Sequence, residues 1–433
     1  VTQPDLSVVI PSYQHAEMLD LTLGTLARQS HSAFEVLVMD DDSTDGTAEV
    51  CARHAEVLDL HLHVSKAEMK SPSRARDEGA RLARGSVIAF LDCGIVVPSG
   101  YVAAHLRFHR DRTGQVGVGM CHGHSPETEQ GSEWADLLGV LSVDDSGSAI
   151  TSRPGMADVR YELPDLTGLR MPWVWAWSGN ISMPKDAYLA SGGFDTSRSY
   201  GYEDSDLAYR MHLRGNAFTF VEDGWGIHYP HPRKPAEELE AASFAGWWKT
   251  YTSYRSLALE IERFSKRNET PGESELRHLN CMERLHTYLG ELGEACAKRG
   301  PLPERALPAA DERSLLIGGS VGNAEAFTYT TLLSSRVEST GDLWPCAGVI
   351  VPLPDDSLDV VVVSEVWKWL SAPQGADRVD MFDMMIADLR RVATRAVFLD
   401  APDGVSPAGT WSVSLAMLHQ ACSRAGLSYE VVR

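Results

Sequence analysis

Residues 34–47 read FEVLVMDDDSTDGT: an apolar, β-prone run, an acidic turn-forming stretch, and the start of a helical segment through Thr47 to His54. A run this short that breaks into Asp, Ser and Gly reads as a buried strand closing on a loop. Upstream, LSVVI at 6–10 is a second such run, stopped by Pro11, after which Leu19, Leu23 and Leu26 recur at helical spacing. Downstream, strands are predicted at 60–64 and at SVIAFLD, 86–92, with a helix at 72–83 between them. Four short apolar runs alternating with helices predict a parallel sheet covered on both faces. Ligands of such sheets bind beyond the carboxyl ends of the strands, where Asp40 to Asp42 and Asp92 are expected.

The chain has 433 residues, enough for two or three units that each bury a core. With 43% hydrophobic and 23% charged residues it reads as an ordinary globular protein rather than a disordered one. Its formal net charge of −21 presents a repulsive average field to nucleic acid, so no nucleic-acid partner is expected. Seven Cys lie scattered with no CxxC pair, which indicates neither a disulfide framework nor a thiolate zinc site. No stretch approaches a membrane span, and the opening VTQPDLSVVIPSY carries neither a basic leader nor a signal-like apolar run. A cytoplasmic protein without membrane association is the expectation.

From 113 to 172 the pattern is irregular and reads as loops around a site. MPWVWAWSGNISM at 171–183 follows, then GGFD and GYEDSDLAYRM. In an extended segment Trp173, Trp175 and Trp177 would project to one face, as a sugar-stacking platform or as core packing. If 203–213 is helical, Asp206 and Arg210 pair four residues apart, and Glu203 and Asp204 occupy the first turn. HPRKPA at 231–236 marks a boundary, and 237–298 is helical by composition. Its aromatic stripe from Phe244 to Tyr254 reads as packing that a second subunit of a homodimer could also bury. After PLPERALPAAD, strand-like LLIGG at 315–319, DVVVVS at 359–364 and AVFLD at 396–400 announce a second α/β unit. The expected division is 1–232, 233–310 and 311–433.

The series VVIPSYQHAEMLDLTLGTLARQS, LVMDDDSTDGT, RARDEGARLARG, FLDCG, and the SGN, GGFD and GYEDSDLAYR segments resembles the family 2 glycosyltransferases of GT-A fold. The resemblance covers about 1–232, and its strength lies in separated signals occurring in the family order. It implies an inverting hexosyltransferase using a UDP-sugar. By this resemblance Pro11, Tyr13 and Glu17 form the first nucleotide-binding strand end, and Asp41 or Asp42 meets the base. Arg76 and Asp77 resemble the family's pair near the diphosphate and sugar, and Gly193 permits backbone approach to the donor. Trp177, beside Ser178, Gly179 and Asn180, is the best placed of the indoles to stack on a sugar.

Asp92 resembles the first acid of the family's DxD motif, which holds Mg2+ or Mn2+ against the diphosphate, and His228 in GWGIHYP resembles the histidine that closes the metal site. Here the motif reads Asp92, Cys93, Gly94, so the second acid is missing and the ion would be held more weakly. The resemblance makes Asp204 the base that removes the acceptor hydroxyl's proton, with Glu203 binding or aligning the acceptor. PLPDDSLDVVVVSEVWKWL at 352–370 resembles the later half of class I methyltransferases, but LLIGGSVGN lacks the usual acid and a clean GxGxG turn. A degenerate accessory unit is implied. The whole arrangement resembles the glucosyltransferases that complete aminocyclitol antibiotics, which implies UDP-glucose as donor and a small aminocyclitol as acceptor. Two alternatives stand beside this: transfer to a peptide side chain of a ribosomal peptide antibiotic, and a non-catalytic nucleotide-sugar-binding protein.

Overall fold

The computed structural model describes residues 3–67, 70–123, 157–198, 200–229, 235–266, 275–297, 300–333, 341–370, 381–400 and 412–432. Two compact units, Val1–Trp247 and Trp248–Arg433, divide the chain. Part of the irregular region, 124–156, and most of the HPRKPA segment lie outside the described residues.

In the first unit, β1 (Leu6–Ser12), β2 (Phe34–Asp40), β3 (Leu60–Val64) and β4 (Val87–Leu91) pair in parallel in the order β3-β2-β1-β4. The runs of β1, β2 and β4 are buried almost without interruption, as expected of strands covered on both faces. Helices α1 (Ala16–Leu26), α2 (Thr47–His54) and α3 (Pro72–Leu82) make the crossovers. Because strand order reverses between β1 and β4, a crevice opens at their carboxyl ends. Short β5 (Ile95–Val96), helix α4 (Tyr101–Asp111), β6 (Val116–Val118) and β7 (Cys121–His122) follow. Then come β8 (Asn180–Pro184), α5 (Lys185–Ala190), helix α6 (Glu203–Leu213), β9 (Phe218–Phe220) and β10 (Gly226–His228). Antiparallel β8 extends the main sheet beyond β4 and carries β6 and β9, while β5, β10 and β7 form a separate small sheet.

The Trp-rich segment departs from the extended conformation considered above. Residues Pro172–Trp175 form a single 3-10 turn, so the three indoles do not share a face. Trp173 is buried against Tyr209 and His212 of α6, with ring centroids 5.0 and 4.7 Å away, and Trp175 is likewise core. Trp177 lies past the turn and is half-buried.

Strand β8 is tied to α4 by a buried polar contact. His105 Nδ1 and His109 Nε2 of α4 both meet the Ser182 hydroxyl, at 2.7 and 2.8 Å. Burial holds both imidazoles neutral, pushing His105 down to about 3 and His109 to about 4 from an ordinary 6.5. Since these values lie below those of the unfolded chain, their stabilisation is present above pH 6.5 and is lost as pH falls toward the folded values. A thermal melt should therefore show the first unit losing roughly 2 kcal/mol per histidine between pH 7.5 and pH 5. A His105→Gln/His109→Gln variant should flatten that dependence, and an unchanged pH profile would remove the two histidines from the account.

The second unit contains the rest of α7 (Ala236–Tyr254), which begins in the first, followed by α8 (Leu257–Lys266) and α9 (Glu275–Ala297). Strands β11 (Ser314–Ile317), β12 (Tyr329–Thr331), β13 (Leu343–Trp344), β14 (Leu358–Val363), β15 (Ala393–Leu399) and β16 (Tyr429–Val432) make an all-parallel sheet in the order β13-β12-β11-β14-β15-β16. Helices α10 (Met381–Val392) and α11 (Leu415–Ala425) complete it. Trp247, Tyr251, Leu257 and Ile261 are buried within the single chain. All seven cysteines are free thiols, and no helix among the described residues is long and apolar enough to cross a membrane.

Candidate active site

The loop after β2 is built by its own acids. Asp40 accepts from the Ser43 backbone N–H at 2.9 Å and from its hydroxyl, closing the turn. Asp42 takes a left-handed φ of 63°, which Asp tolerates better than most residues, and stands exposed. Asp41 is buried and committed: its oxygens accept from the Ser71 N–H at 2.9 Å and from Arg74 Nη2 at 2.6 Å. Of the two candidates for the base, Asp42 is the one left open, while Asp41 anchors the start of α3. Pro11 is partly buried at the end of β1, Glu17 is exposed in the first turn of α1, and Tyr13 is exposed with Lys70 Nζ 5.3 Å from its ring centroid.

Residues two apart on a helix point some 200° away from one another, so α3 sends Arg74 to Asp41 and Arg76 elsewhere. Arg76 is buried between two carboxylates, with Nη2 2.6 Å from Asp92 Oδ1 and Nη1 3.4 Å from Glu203 Oε1. Its guanidinium also lies 5.8 Å from the Phe194 ring. Burial opposes the charge, but Asp92 and Glu203 outweigh it and hold the guanidinium above its ordinary value. Burial, then neighbouring Asp204, raises the Glu203 carboxyl, against the pull of Arg76.

Asp204 is the more open member of the pair at the start of α6. Its oxygens accept from the Ser205 N–H at 2.8 Å and from the Ser178 N–H at 3.4 Å. The turn into α6 is held in an uncommon backbone form: Gly201 and Tyr202 both have positive φ, 89° and 66°. Arg198 secures that turn, with Nη2 2.9 Å from Asp206 Oδ1 and Nη1 2.6 Å from the Gly246 carbonyl. Asp206 also meets Arg210, the helical pair read from their spacing, so its carboxylate is spent on structure.

Asp77 and Gly193 meet in a contact of their own. Tyr188 hydroxyl donates to Asp77 Oδ1 at 2.7 Å, and Arg81 Nε donates to Oδ2 at 2.8 Å. A Cβ on Gly193, whose φ is 73°, would stand 2.2 Å from Asp77 Oδ1. The glycine thus admits this carboxylate, which straps the 188–194 segment to α3. Tyr188 and Arg74 escaped the sequence reading because their partners, Asp77 and Asp41, lie 111 and 33 positions away along the chain.

Two places could concern a cation. At Gly94, where the second acid of the motif would stand, φ is 93° and a Cβ would meet Met18 Sδ at 3.2 Å, so this position supplies no ligand. Asp92 follows β4, and buried His228 pairs across β10 and β5 with Ile95, three residues after Asp92; a carboxylate and an imidazole are ligand types that Mg2+ or Mn2+ accepts. Buried Cys93 points its thiol at the His15 carbonyl, and burial raises it far from the thiolate. Glu35, Asp59 and His61 also bring ligand atoms close enough to hold a metal ion. That group lies at the amino ends of β2 and β3, away from the crevice, and Arg84 already bonds Glu35 and Asp59 there at 2.7 and 2.6 Å.

Residues 7–135 match the family model for glycosyl transferase family 2. The chain is 30% identical over 403 residues to the validoxylamine A glucosyltransferase of Streptomyces hygroscopicus subsp. jinggangensis (strain 5008), covering 83% of this chain and 90% of that protein. It is 30% identical to the enzyme of the same name from subsp. limoneus, over 83% of this chain and 84% of that one. The uncharacterized glycosyltransferase YfnE of Bacillus subtilis (strain 168) is 26% identical, over 59% of this chain and 72% of its own length.

Proposed function

The chain belongs to glycosyl transferase family 2 and is a glycosyltransferase with a GT-A-like α/β fold, and from that premise we propose that it transfers glucose from UDP-glucose to a hydroxyl of validoxylamine A, with inversion. The observation that carries the reading is the convergence of Arg76, Asp92 and Glu203, beside Asp204, at the carboxyl end of β4. The donor and acceptor are taken from relatives that match along most of their length.

In this reading the nucleotide lies along the carboxyl ends of β1 and β2, with Tyr13 and Asp42 at the base and Pro11 and Glu17 beside it. Arg76 faces the departing diphosphate, where a fixed guanidinium in a water-poor site counters the charge that grows as the bond to C1 breaks. Asp204 takes the proton of the acceptor hydroxyl as that oxygen attacks C1 from the opposite side. One C–O bond forms and one breaks, the bonding pair leaves with UDP, and an α-linked donor gives a β-linked product. Glu203 aligns the acceptor and holds Arg76. Asp92 and His228 would hold Mg2+ or Mn2+, which when bound neutralises diphosphate charge.

The division into 1–232, 233–310 and 311–433 is proposed with the last part an accessory unit resembling a degenerate methyltransferase. Support for degeneracy comes from the glycine turn after β11, which spends its groups internally. Ser364 Oγ donates to the Gly318 carbonyl at 2.9 Å, and the Gly318 and Gly319 N–H groups go to Thr331. A cytoplasmic setting and a homodimer are proposed with it.

The test is mass-resolved turnover with UDP-glucose, validoxylamine A and Mg2+ or Mn2+, run beside other nucleotide sugars. A product heavier by one hexose is expected. Donor binding with no product from any donor rejects this acceptor and turns the search toward peptide side chains.

A further inference from the structure

Arg76 and Asp77 stand side by side on α3, yet successive helical residues diverge by about 100°, so their side chains leave the helix in different directions. Arg76 goes to Asp92 and Glu203, and Asp77 goes to Tyr188. A chain of contacts nevertheless leads from one back to the other. The Tyr188 hydroxyl donates to Asp77 Oδ1 at 2.7 Å and accepts the Phe194 N–H at 3.0 Å. The Arg76 guanidinium carbon in turn lies over the Phe194 ring, 5.8 Å from its centroid. The circuit therefore opens and closes on adjacent residues of one helix. Asp77, Tyr188 and Phe194 are 5%, 0% and 3% exposed, so solvent reaches almost none of it.

Each link is itself held. Arg81, one turn further along α3, donates to Asp77 and fixes the carboxylate. Burial, then Asp77, holds the Tyr188 phenol above its ordinary value, so the hydroxyl keeps the proton it donates. Gly193 lets the next residue's N–H reach that hydroxyl, since a Cβ there would stand 2.9 Å from the Tyr188 oxygen. Phe90 packs on both rings, with centroids 5.6 Å from Tyr188 and 5.2 Å from Phe194, and lies two residues before Asp92.

In the transfer reading Asp92 and Glu203 have second duties, toward the metal ion and the acceptor, so the guanidinium cannot depend on them alone for its direction. Its buried Nε has no hydrogen-bond partner among the described residues. Phe194 has no proton to exchange, and its ring face attracts a guanidinium more strongly where both are desolvated. We propose that Asp77 and Tyr188 are positioning residues for the transfer step, acting through Phe194 to hold the Arg76 guanidinium in the orientation that meets the departing diphosphate. The inference rests on the transferase reading above. Asp77 then serves the diphosphate at one remove, without touching it. Because the strap directs a charge that matters most as the bond to C1 breaks, its loss falls on kcat more than on donor affinity.

The experiment is a double-mutant cycle on the full chain with UDP-glucose and validoxylamine A, reading kcat, donor Kd by calorimetry and melting temperature. Tyr188→Phe, which keeps the ring and deletes the hydroxyl, should lower kcat about tenfold with the donor Kd within about twofold of wild type. In an Arg76→Lys background, where an ammonium has no plane to hold, the same change should lower kcat by less than about twofold. Asp77→Ala should repeat the loss of about tenfold, and Asp77→Asn, whose amide oxygen still accepts from Tyr188, should recover most of it. Phe194→Leu keeps the hydrogen bonds of the strap and removes the π face, and it carries the same cycle if Tyr188→Phe does not fold. An unchanged kcat in Tyr188→Phe, an equal loss in both backgrounds, or a loss of donor affinity in proportion to kcat overturns the inference and leaves the transfer reading standing. UDP-glucose binding without turnover by the wild-type chain overturns the transfer reading and this inference with it.

Discussion

Replacing Asp204 by Asn should reduce kcat by about 10²- to 10⁴-fold while leaving the donor Kd within about threefold of wild type. The amide is isosteric and can still accept from the Ser178 or Ser205 N–H, so the start of α6 keeps its anchor. What disappears is the group able to hold a proton as the acceptor oxygen attacks. Glu203 cannot replace it: it is buried against Arg76, and its carboxyl is raised by burial and by Asp204 itself. Loss of the Asp204 charge should therefore ease the ionisation of Glu203 and move any acid-limb pKa of the residual rate downward. Steady-state kinetics over pH, with donor binding measured separately by calorimetry, checks both parts. Full activity in the Asn variant removes Asp204 as the base, and loss of donor binding in proportion to kcat makes its role structural.

Much of the first unit was legible because its strands obey a one-dimensional rule. LSVVI, FEVLVM and VIAFL are buried on both faces, so continuous apolar runs and the polar turns behind them locate strands and the ligand-facing ends together. Asp206 and Arg210 were legible for the same reason, since helical spacing brings them into contact. The indoles at 173, 175 and 177 were harder. Their alternation has one meaning in a strand and another in a 3-10 turn, and the packing of Trp173 on α6 decides it from outside the segment. Long-range partners were not legible at all. Asp77 reads as a site residue by motif, yet Tyr188, 111 positions away, takes its oxygen and Gly193 makes room for it. Arg160 sits in a stretch whose composition says loop, and nothing local marks a guanidinium that the fold buries completely.

Arg76 should prove the least replaceable cation in the first unit. Three acids face it, Asp92, Glu203 and, at longer range, Asp204, and two of them bond it directly. Arg76→Met leaves these carboxylates together without their shared counter-charge, and breaking a buried pair in this way costs about 3–5 kcal/mol. The Glu203 carboxyl, already raised, should rise further once the opposing cation is gone. Stability of the Met variant should consequently recover as pH falls and Glu203 takes a proton in the folded state, the sign expected when a folded carboxyl lies above its unfolded value. Arg76→Lys separates support of the fold from chemistry. A single ammonium retains the charge but cannot present two nitrogens to Asp92 and Glu203 at once, so the Lys variant should melt closer to wild type while kcat still falls about 10²-fold. Denaturant melts at pH 5 and pH 8, set beside donor affinity and kcat for both variants, give the answer. A Lys variant that is folded and fully active would mean that charge alone suffices at this position, and the fork across Asp92 and Glu203 would then belong to the resting protein rather than to the transfer step.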